Sequence, residues 1–267
     1  MKLKVNKPVT PSQRHLITLN TKMTAKKPLL KEKIKGLKNS SGRNNFGKIT
    51  IRHLGGGHKK NYRIINFSRI ENSIGIVCSI EYDPNRNTHI GSVFDINSAN
   101  FFYTIAPKNL KIGDIIKSGQ SAETKLGHSL PLSRVPVGSL VHSVSTKPKK
   151  PAQVSRSAGT FSKLIEKTFS YVKIKLSSGK KIRISPDCFA AIGIVSNELF
   201  HFCQLGKAGR KRWLNRRSSV RGVAMNPIDH PHGGGEGKKS GKGFTPWGKP
   251  TKLGKLKKSL DKNYEQN

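Results

Sequence analysis

Tyr171-Val172-Lys173-Ile174-Lys175-Leu176-Ser177-Ser178-Gly179-Lys180-Lys181-Ile182-Arg183-Ile184 decides the fold class. Val172, Ile174 and Leu176 alternate with Lys173 and Lys175. After Ser177-Ser178-Gly179-Lys180, Ile182 and Ile184 resume the alternation around Arg183. A period of two puts successive side chains on opposite faces of a strand, and a Gly-containing break between two such runs is a hairpin. Outward from this hairpin, residues 75–82 put Ile76, Cys78, Ile80 and Tyr82 on one face. Short strands are also expected at residues 63–67, 101–105, 137–144 and 191–195. Turns fall at Asp83-Pro84-Asn85, Ala106-Pro107-Lys108-Asn109 and Lys147-Pro148. Many short strands at close spacing predict small closed barrels, with the polar stretch 117–134 dividing two of them. Helix signals are scarce. Ser196-Asn197 predicts the cap of one short helix running to about residue 204, with Gly206 past its end.

Charge bounds the function. The chain has 51 Lys and Arg against 14 Asp and Glu, a net charge of +37 over 267 residues. A compact domain carrying that excess repels itself unless a polyanion neutralises it. Solubility needs a net charge of only about 2–8 in magnitude. A membrane surface fits poorly, because no apolar run of about 18 residues and no basic amphipathic helix with a clean apolar face is present. Nucleic acid remains, one phosphate charge per Lys or Arg. The charge is uneven: residues 1–63 hold 17 Lys/Arg and the single acid Glu32, residues 64–205 hold 18 against 9, and residues 206–262 hold 16 against 3. Ile, Val, Leu and Phe concentrate in the middle. A folded centre between two basic arms is therefore expected. Residues 1–48 read as an extended arm, with Pro8, Pro11 and Pro28 opposing regular structure. Without RNA both arms are expected to stay open to protease, and only residues 60–200 or so to fold. Cys78, Cys188 and Cys203 are odd in number and widely spaced, so neither a disulfide framework nor a zinc site follows. Each is expected to act as a small buried hydrophobe.

Three motifs bear on chemistry. Arg52-His53-Leu54-Gly55-Gly56-Gly57-His58-Lys59-Lys60 is a basic glycine loop without the spacing of a nucleotide-binding P-loop. Its backbone amides can face phosphate oxygens, or it is a flexible surface loop. Lys207-Ala208-Gly209-Arg210-Lys211-Arg212-Trp213-Leu214-Asn215-Arg216-Arg217 sets six cations around one Trp. That pairing suits RNA, where phosphates take the charge and the ring stacks on bases; the alternative is a solvated basic face with Trp213 in a local core. Asn226-Pro227-Ile228-Asp229-His230-Pro231-His232-Gly233-Gly234-Gly235-Glu236-Gly237 offers Asp229, His230, His232 and Glu236 as metal ligands or an acid–base set. Pro231 prevents a helix face, the glycines give no rigid surroundings to orient ligands, and no nucleophile lies nearby. No metal site, cofactor or enzymatic activity is therefore expected, and the loop suits threading between RNA elements.

At these residues the sequence resembles a known family, the second protein of the large ribosomal subunit in its bacterial and organellar form. The resemblance runs nearly end to end. It is carried by Ser41-Gly42-Arg43-Asn44-Asn45-Phe46-Gly47-Lys48-Ile49-Thr50, the glycine loop, Glu81-Tyr82-Asp83-Pro84-Asn85-Arg86 and Pro136-Val137-Gly138-Ser139. Arg156-Ser157-Ala158-Gly159-Thr160, Leu205-Gly206-Lys207-Ala208-Gly209 and Val220-Arg221-Gly222-Val223-Ala224-Met225-Asn226-Pro227 continue it. Asp229-His230-Pro231-His232-Gly233-Gly234-Gly235-Glu236-Gly237 and Thr245-Pro246-Trp247-Gly248 complete it. The resemblance implies a mainly β chain: an OB-like five-stranded barrel (residues 60–125) and an SH3-like barrel (126–205), between a basic N-terminal extension (1–59) and a Gly/Lys-rich C-terminal extension (206–267). It implies a structural constituent of the large subunit that binds large-subunit rRNA near the peptidyl transferase centre. The partners it implies are neighbouring ribosomal proteins, the small subunit across the intersubunit face and nearby tRNA, in support of subunit association, tRNA binding and peptide-bond formation.

The RNA-contacting set is expected to comprise Arg43, Arg52, His53, Gly55, Gly56, Gly57, His58, Lys59, Lys60 and Arg63 in the first part of the chain. Arg86 and Arg156 follow in the barrels. Lys207, Arg210, Lys211, Arg212, Trp213, Arg216, Arg217, Arg221, Asn226, His230, His232, Lys238, Lys239 and Trp247 complete it in the C-terminal extension. By resemblance, His230 is the histidine tied to activity, in a supporting role and not a catalytic one. Three roles are open to it, a general base, a metal ligand, or a hydrogen-bonding wedge against RNA; a Gly-rich loop and Pro231 favour the wedge, with Asp229 a candidate to fix its tautomer. The sequence departs from the family's pattern at residues 95–102, which lack a charged hairpin tip, and at residues 260–267, where relatives often end in an Arg-rich run. The chain opens on the family's own arm, Thr10-Pro11-Ser12-Gln13-Arg14-His15, with no Arg-rich presequence ahead of it. Its richness in Lys, Ile, Asn, Ser and Phe is the residue usage of an A+T-rich genome. A mitochondrial location is expected, with a plastid or a bacterial cytoplasm as alternatives.

Overall fold

A computed structural model describes residues 3–20, 24–237 and 243–250. Fourteen strands occur among them. Two short ladders lie in the N-terminal arm: β1 (Leu3–Val5) pairs with β2 (Ile17–Leu19), and β3 (Ile34–Gly36) with β4 (Asn61–Arg63), both antiparallel. The remaining strands are β5 (Ser73–Tyr82), β6 (His89–Asp95), β7 (Asn100–Ile105), β8 (Ile115–Ser118), β9 (Ser129–Pro131), β10 (Leu140–His142), β11 (Ser162–Lys167), β12 (Val172–Leu176), β13 (Lys181–Ile184) and β14 (Phe189–Ile192). They hydrogen-bond in the order β13-β12-β11-β10-β14-β9-β8-β5-β6-β7. The chain is mainly β, consistent with OB-like and SH3-like halves. The two halves are joined in one ladder, which does not close on itself among the described residues. The joint is a single parallel pair, Ser118 opposite Ser129.

The decisive hairpin forms as its alternation requires. Val172 faces Ile184 and Ile174 faces Ile182 across β12 and β13. Val172 and Ile174 enter the core of the second half with Leu130, Leu132, Val135, Val141, Leu164 and Cys188. The first half encloses Val77, Val93, Ala106, Leu110 and Ile116 on one side and Ile65, Ile90, Tyr103 and Ile105 on the other. Arg69 ties the halves together. Its Nε donates to Ser118 Oγ at 3.0 Å and its Nη1 to the Gly127 carbonyl at 2.9 Å, while Ser129 Oγ donates to the Arg69 carbonyl at 3.1 Å. Burial without a carboxylate pulls this guanidinium down to about 10.

Several expectations need correction. The arm of residues 1–48 is not featureless: Ala25 pairs alongside Glu81, and the Leu29 amide donates to the Glu81 carboxylate at 3.0 Å. Three-residue ladders leave no period to read. The strand expected at 63–67 ends at Arg63, apart from one bridge from Ile65 to Tyr103. That expected at 137–144 shrinks to Leu140–His142, because Gly138, at φ +90°, turns the chain. The strand placed at 191–195 is Phe189–Ile192. The polar stretch 117–134 holds the joint between the two halves, where Ser118 meets Ser129. The helix expected after Ser196 is a 3-10 turn, Glu198–Phe202. Asn197 does not cap it, since its φ is +65° and its side-chain amide donates to the Asn87 carbonyl. A helix that composition did not suggest, α1 (Ala208–Trp213), sits in the basic cluster. Cys188 is buried, but Cys78 and Cys203 are only half-buried.

The chain divides into two compact units, and the division interleaves the sequence. One comprises Met1–Ser41 with Gly56–Asn215, the other Gly42–Gly55 with Arg216–Asn267.

Candidate nucleic-acid interface

Within the larger unit, the glycine loop and the basic cluster, 150 residues or so apart in sequence, are brought into contact. The His58 amide donates to the Trp213 carbonyl at 3.1 Å. Gly57, at φ +53°, packs so closely on Asn215 that a Cβ would overlap its side chain. That is a position only glycine fills. The Asn39 side-chain amide donates to the Gly56 carbonyl at 2.6 Å and fixes the loop from the other side. A flexible surface loop is thereby excluded. Trp213 closes α1 and is 58% exposed, and Lys207 Nζ lies 4.9 Å from its ring centroid. A local core for Trp213 is excluded too. Lys207, Lys211, Arg212, His58 and Lys59 are exposed, and Lys60 is half-buried.

Arg210 faces inward. Its Nη1 donates to the carbonyls of Ser12 at 2.8 Å and Leu205 at 2.6 Å, which pins the N-terminal arm to the start of the cluster. Arg63 is also placed differently from the sequence expectation. Its side chain is 5% exposed, 3.8 Å from Glu81 and 3.7 Å from Asp83. Glu81 further accepts from Tyr103 Oη and Ser79 Oγ. Burial foremost pushes the Tyr103 phenol up to about 12. Arg63 is thus a tie of the interior, where RNA has no access. Alternating Tyr62-Arg63-Ile64 gave no sign of this, because the partner carboxylates lie on β5 and in the turn after it.

Arg86 and Arg156 converge although 70 residues or so separate them. Both guanidinium groups stand over the Phe67 ring, at 6.0 and 5.1 Å, and Arg86 also stands 5.6 Å from the Tyr62 centroid. Asp83 holds Arg86 at 3.2 Å. With Asn85, Thr88 and Ser157 these residues line a cleft of about 400 Å³. Phe67 and Tyr62 belong to it and were missed. An aromatic beside a strand carries no pattern that marks it as a binding ring.

In the smaller unit, Arg52 holds the histidine loop. Its Nη2 donates to the Asp229 carbonyl at 3.1 Å and its Nη1 approaches Met225 Sδ at 3.5 Å. The Arg217 amide donates to the His53 carbonyl at 3.0 Å, and Leu54 bridges to Arg216. Arg216, Arg217, Arg221 and Asn226 are exposed, as is Arg43. His230 is 8% exposed, with its ring against Gly222, where a Cβ would come within 2.6 Å. The His232 amide donates to His230 Nδ1 at 3.0 Å, and the Phe244 amide donates to His232 Nε2 at 3.1 Å. The His230 tautomer is therefore set by the amide of His232, not by the Asp229 carboxylate: Nδ1 accepts and Nε2 carries the proton. Burial first, then His232 and Arg52, hold His230 below the usual imidazole range, so it is neutral near pH 7. A neutral ring whose Nδ1 is already engaged is a donor through Nε2, poorly suited to act as a base or as a metal ligand. Among the described residues no group of three or more His, Cys, Asp or Glu could hold a metal ion, and no helix is long and apolar enough to cross a membrane. Trp247 is exposed; Lys238, Lys239 and the unusual end at 260–267 lie outside the described residues.

Exposed cations that lack acidic partners among the described residues, exposed rings held by fixed turns, and a mainly β scaffold define a nucleic-acid-binding protein of the barrel-and-arms kind. Residues 30–118 match the family model described as Ribosomal Proteins L2, RNA binding N-terminal domain, and residues 125–248 match Ribosomal Proteins L2, C-terminal domain. The chain is 46% identical over 268 residues to the large ribosomal subunit protein uL2 of Rhodospirillum centenum, covering 98% of this chain and 97% of that protein. The chain belongs to the ribosomal protein L2 family.

Proposed function

We propose that this chain is a structural constituent of the large ribosomal subunit that binds large-subunit rRNA through the glycine loop, the basic cluster, the Arg86–Arg156 cleft and the histidine loop. The observation that carries this reading is the seating of Gly56-Gly57-His58 on Trp213 and Asn215. It presents backbone, an aromatic ring and a row of unpaired cations together, and phosphates and base faces are what such a surface neutralises and stacks. The two compact units with these surfaces suit a chain whose arms pass between RNA elements.

The finer roles are proposed on the resemblance described above. The chain lies near the peptidyl transferase centre, where it supports subunit association, tRNA binding and peptide-bond formation alongside neighbouring ribosomal proteins, the small subunit and tRNA. It performs no chemistry of its own: in the histidine loop, His230 is buried with Nδ1 already bonded to the His232 amide. Its compartment is mitochondrial on residue usage; the bacterial relative favours a bacterial cytoplasm as the second reading. Ultraviolet crosslinking of native large subunits, with the crosslinked peptides sequenced, tests the interface. Crosslinks to rRNA at His58, Trp213, Arg156 and the 226–237 loop are expected. Crosslinks confined to protein neighbours would contradict it.

A further inference from the structure

Two turns in the smaller unit share one construction. The first is Asn44-Asn45-Phe46-Gly47-Lys48 and the second is Thr245-Pro246-Trp247-Gly248-Lys249. In each, the first residue's amide donates to the lysine carbonyl, at 3.0 and 2.7 Å, and the glycine amide donates back to the first residue's carbonyl, at 3.0 Å in both. In each, the lysine amide donates to the first residue's side-chain oxygen, Asn44 Oδ1 at 2.9 Å and Thr245 Oγ1 at 3.0 Å. Both glycines sit at φ +76°. A single antiparallel bridge closes each turn, Arg43 with Ile49 and Phe244 with Pro250. The third residue of each is an aromatic pointing into solvent: Phe46 is 82% exposed and Trp247 69%.

The turn itself does not need the ring. The loop between β12 and β13 has the same backbone bonds, Leu176 amide to Lys180 carbonyl and Gly179 amide to Leu176 carbonyl, both 2.9 Å, with Gly179 at φ +89°. Its tip is Ser178. A single exposed ring such as Phe169 needs no explanation; the same rigid turn holding a solvent-facing ring twice does, and it points to another molecule. The surroundings choose which. No Asp or Glu occurs between Glu32 and Glu71, nor between Glu236 and Asp261. A polyanion that also offers flat apolar faces is RNA with unpaired bases; paired RNA hides those faces within its stack.

We propose that Phe46 and Trp247 are two copies of one base-stacking finger, each taking the face of an unpaired nucleobase of rRNA, with Lys48 and Lys249 beside the adjoining phosphates. This rests on the rRNA-binding reading above. A preorganised turn limits the ordering that binding requires. Alanine at a ring that stacks one base costs a factor of about 5–100 in affinity.

The test uses the full chain and a transcript of its own large-subunit rRNA. Phe46→Ala and Trp247→Ala should each weaken binding about 5- to 100-fold, with unchanged thermal unfolding. The slope of log affinity against log salt should stay as in wild type, because no phosphate contact is lost. Phe46→Trp should retain affinity and Phe46→Leu should not. Phe169→Ala, which removes an exposed ring from the turn after β11, serves as the control and should bind as wild type. Wild-type affinity of both alanine variants, full rescue by Leu, or an equal loss with Phe169→Ala would overturn the proposal. So would variants that bind the transcript normally yet fail to enter assembled subunits, since the occupant would then be a protein. If the wild-type chain shows no salt-dependent affinity for the transcript, the rRNA reading itself falls.

Discussion

Replacing Lys211, Arg212, Arg216 and Arg217 together with Ala removes four exposed cations, none of which forms an ion pair among the described residues. Because they are exposed and unpaired, their loss should leave the fold intact, with stability within about 0.5 kcal/mol of wild type. If each meets one phosphate, the salt slope should flatten by roughly 0.7–0.9 per contact, hence by about 3 for all four. At about 0.1 M salt that corresponds to an affinity loss on the order of 10³-fold. Arg210→Ala should behave differently. Its guanidinium serves the Ser12 and Leu205 carbonyls, so its loss should lower stability by about 1–3 kcal/mol and leave the slope nearly unchanged. Filter binding or fluorescence anisotropy against an rRNA transcript from 50 to 300 mM salt, paired with thermal unfolding, separates the two variants. A fourfold variant with the wild-type slope, or an Arg210 variant that alone flattens it, would refute the assignment of charges to phosphates and to carbonyls.

His142 is buried, its Nδ1 is 3.2 Å from the Gly193 carbonyl, and burial above all pulls its pKa down to about 4. A depressed imidazole favours the folded state above the unfolded value of about 6.5 and loses that advantage as pH falls towards 4. Roughly 3 kcal/mol is at stake, and His142→Leu should flatten the decline of melting temperature between pH 6.5 and 4. Glu81→Ala should cost about 3–5 kcal/mol by leaving Arg63 short of a buried partner and Leu29 and Tyr103 without their acceptor; denaturant unfolding reads it, and a loss below 1 kcal/mol would contradict the network. His230→Gln, which keeps a side-chain N–H donor, should leave substantial peptidyl transfer, while His230→Ala should lower assembly and activity together. Single-turnover peptide-bond formation on fully assembled His230→Gln subunits decides this, since a 10²–10⁴-fold loss in the chemical step would mark an acid–base catalyst.

Local alternation made the β12–β13 hairpin legible, because both strands bury one face and expose Lys or Arg on the other. The arms were only partly legible. Their strands are three residues long, held by backbone pairing and by tertiary acceptors such as Glu81, so no periodicity records them. The interface residues were legible by type and not by position. Trp213 and the glycine loop stood out separately, but their contact depends on Asn215 receiving Gly57. Arg63 and Arg210 looked like any other cation of the arms, and only the carboxylates and carbonyls that the fold brings to them show that they face inward. Sequence adjacency points to Asp229 as the group beside His230, whereas the turn at Pro231 delivers the His232 amide to its Nδ1.

This chain is a resident of the large ribosomal subunit, held there by rRNA. Sedimentation of native lysate through a sucrose gradient, with the chain followed by immunoblot, tests it most directly. A resident chain migrates with large subunits and whole ribosomes, and leaves them only when high salt or nuclease strips the rRNA contacts. A chain found mainly at the top of the gradient as a free protein would contradict it.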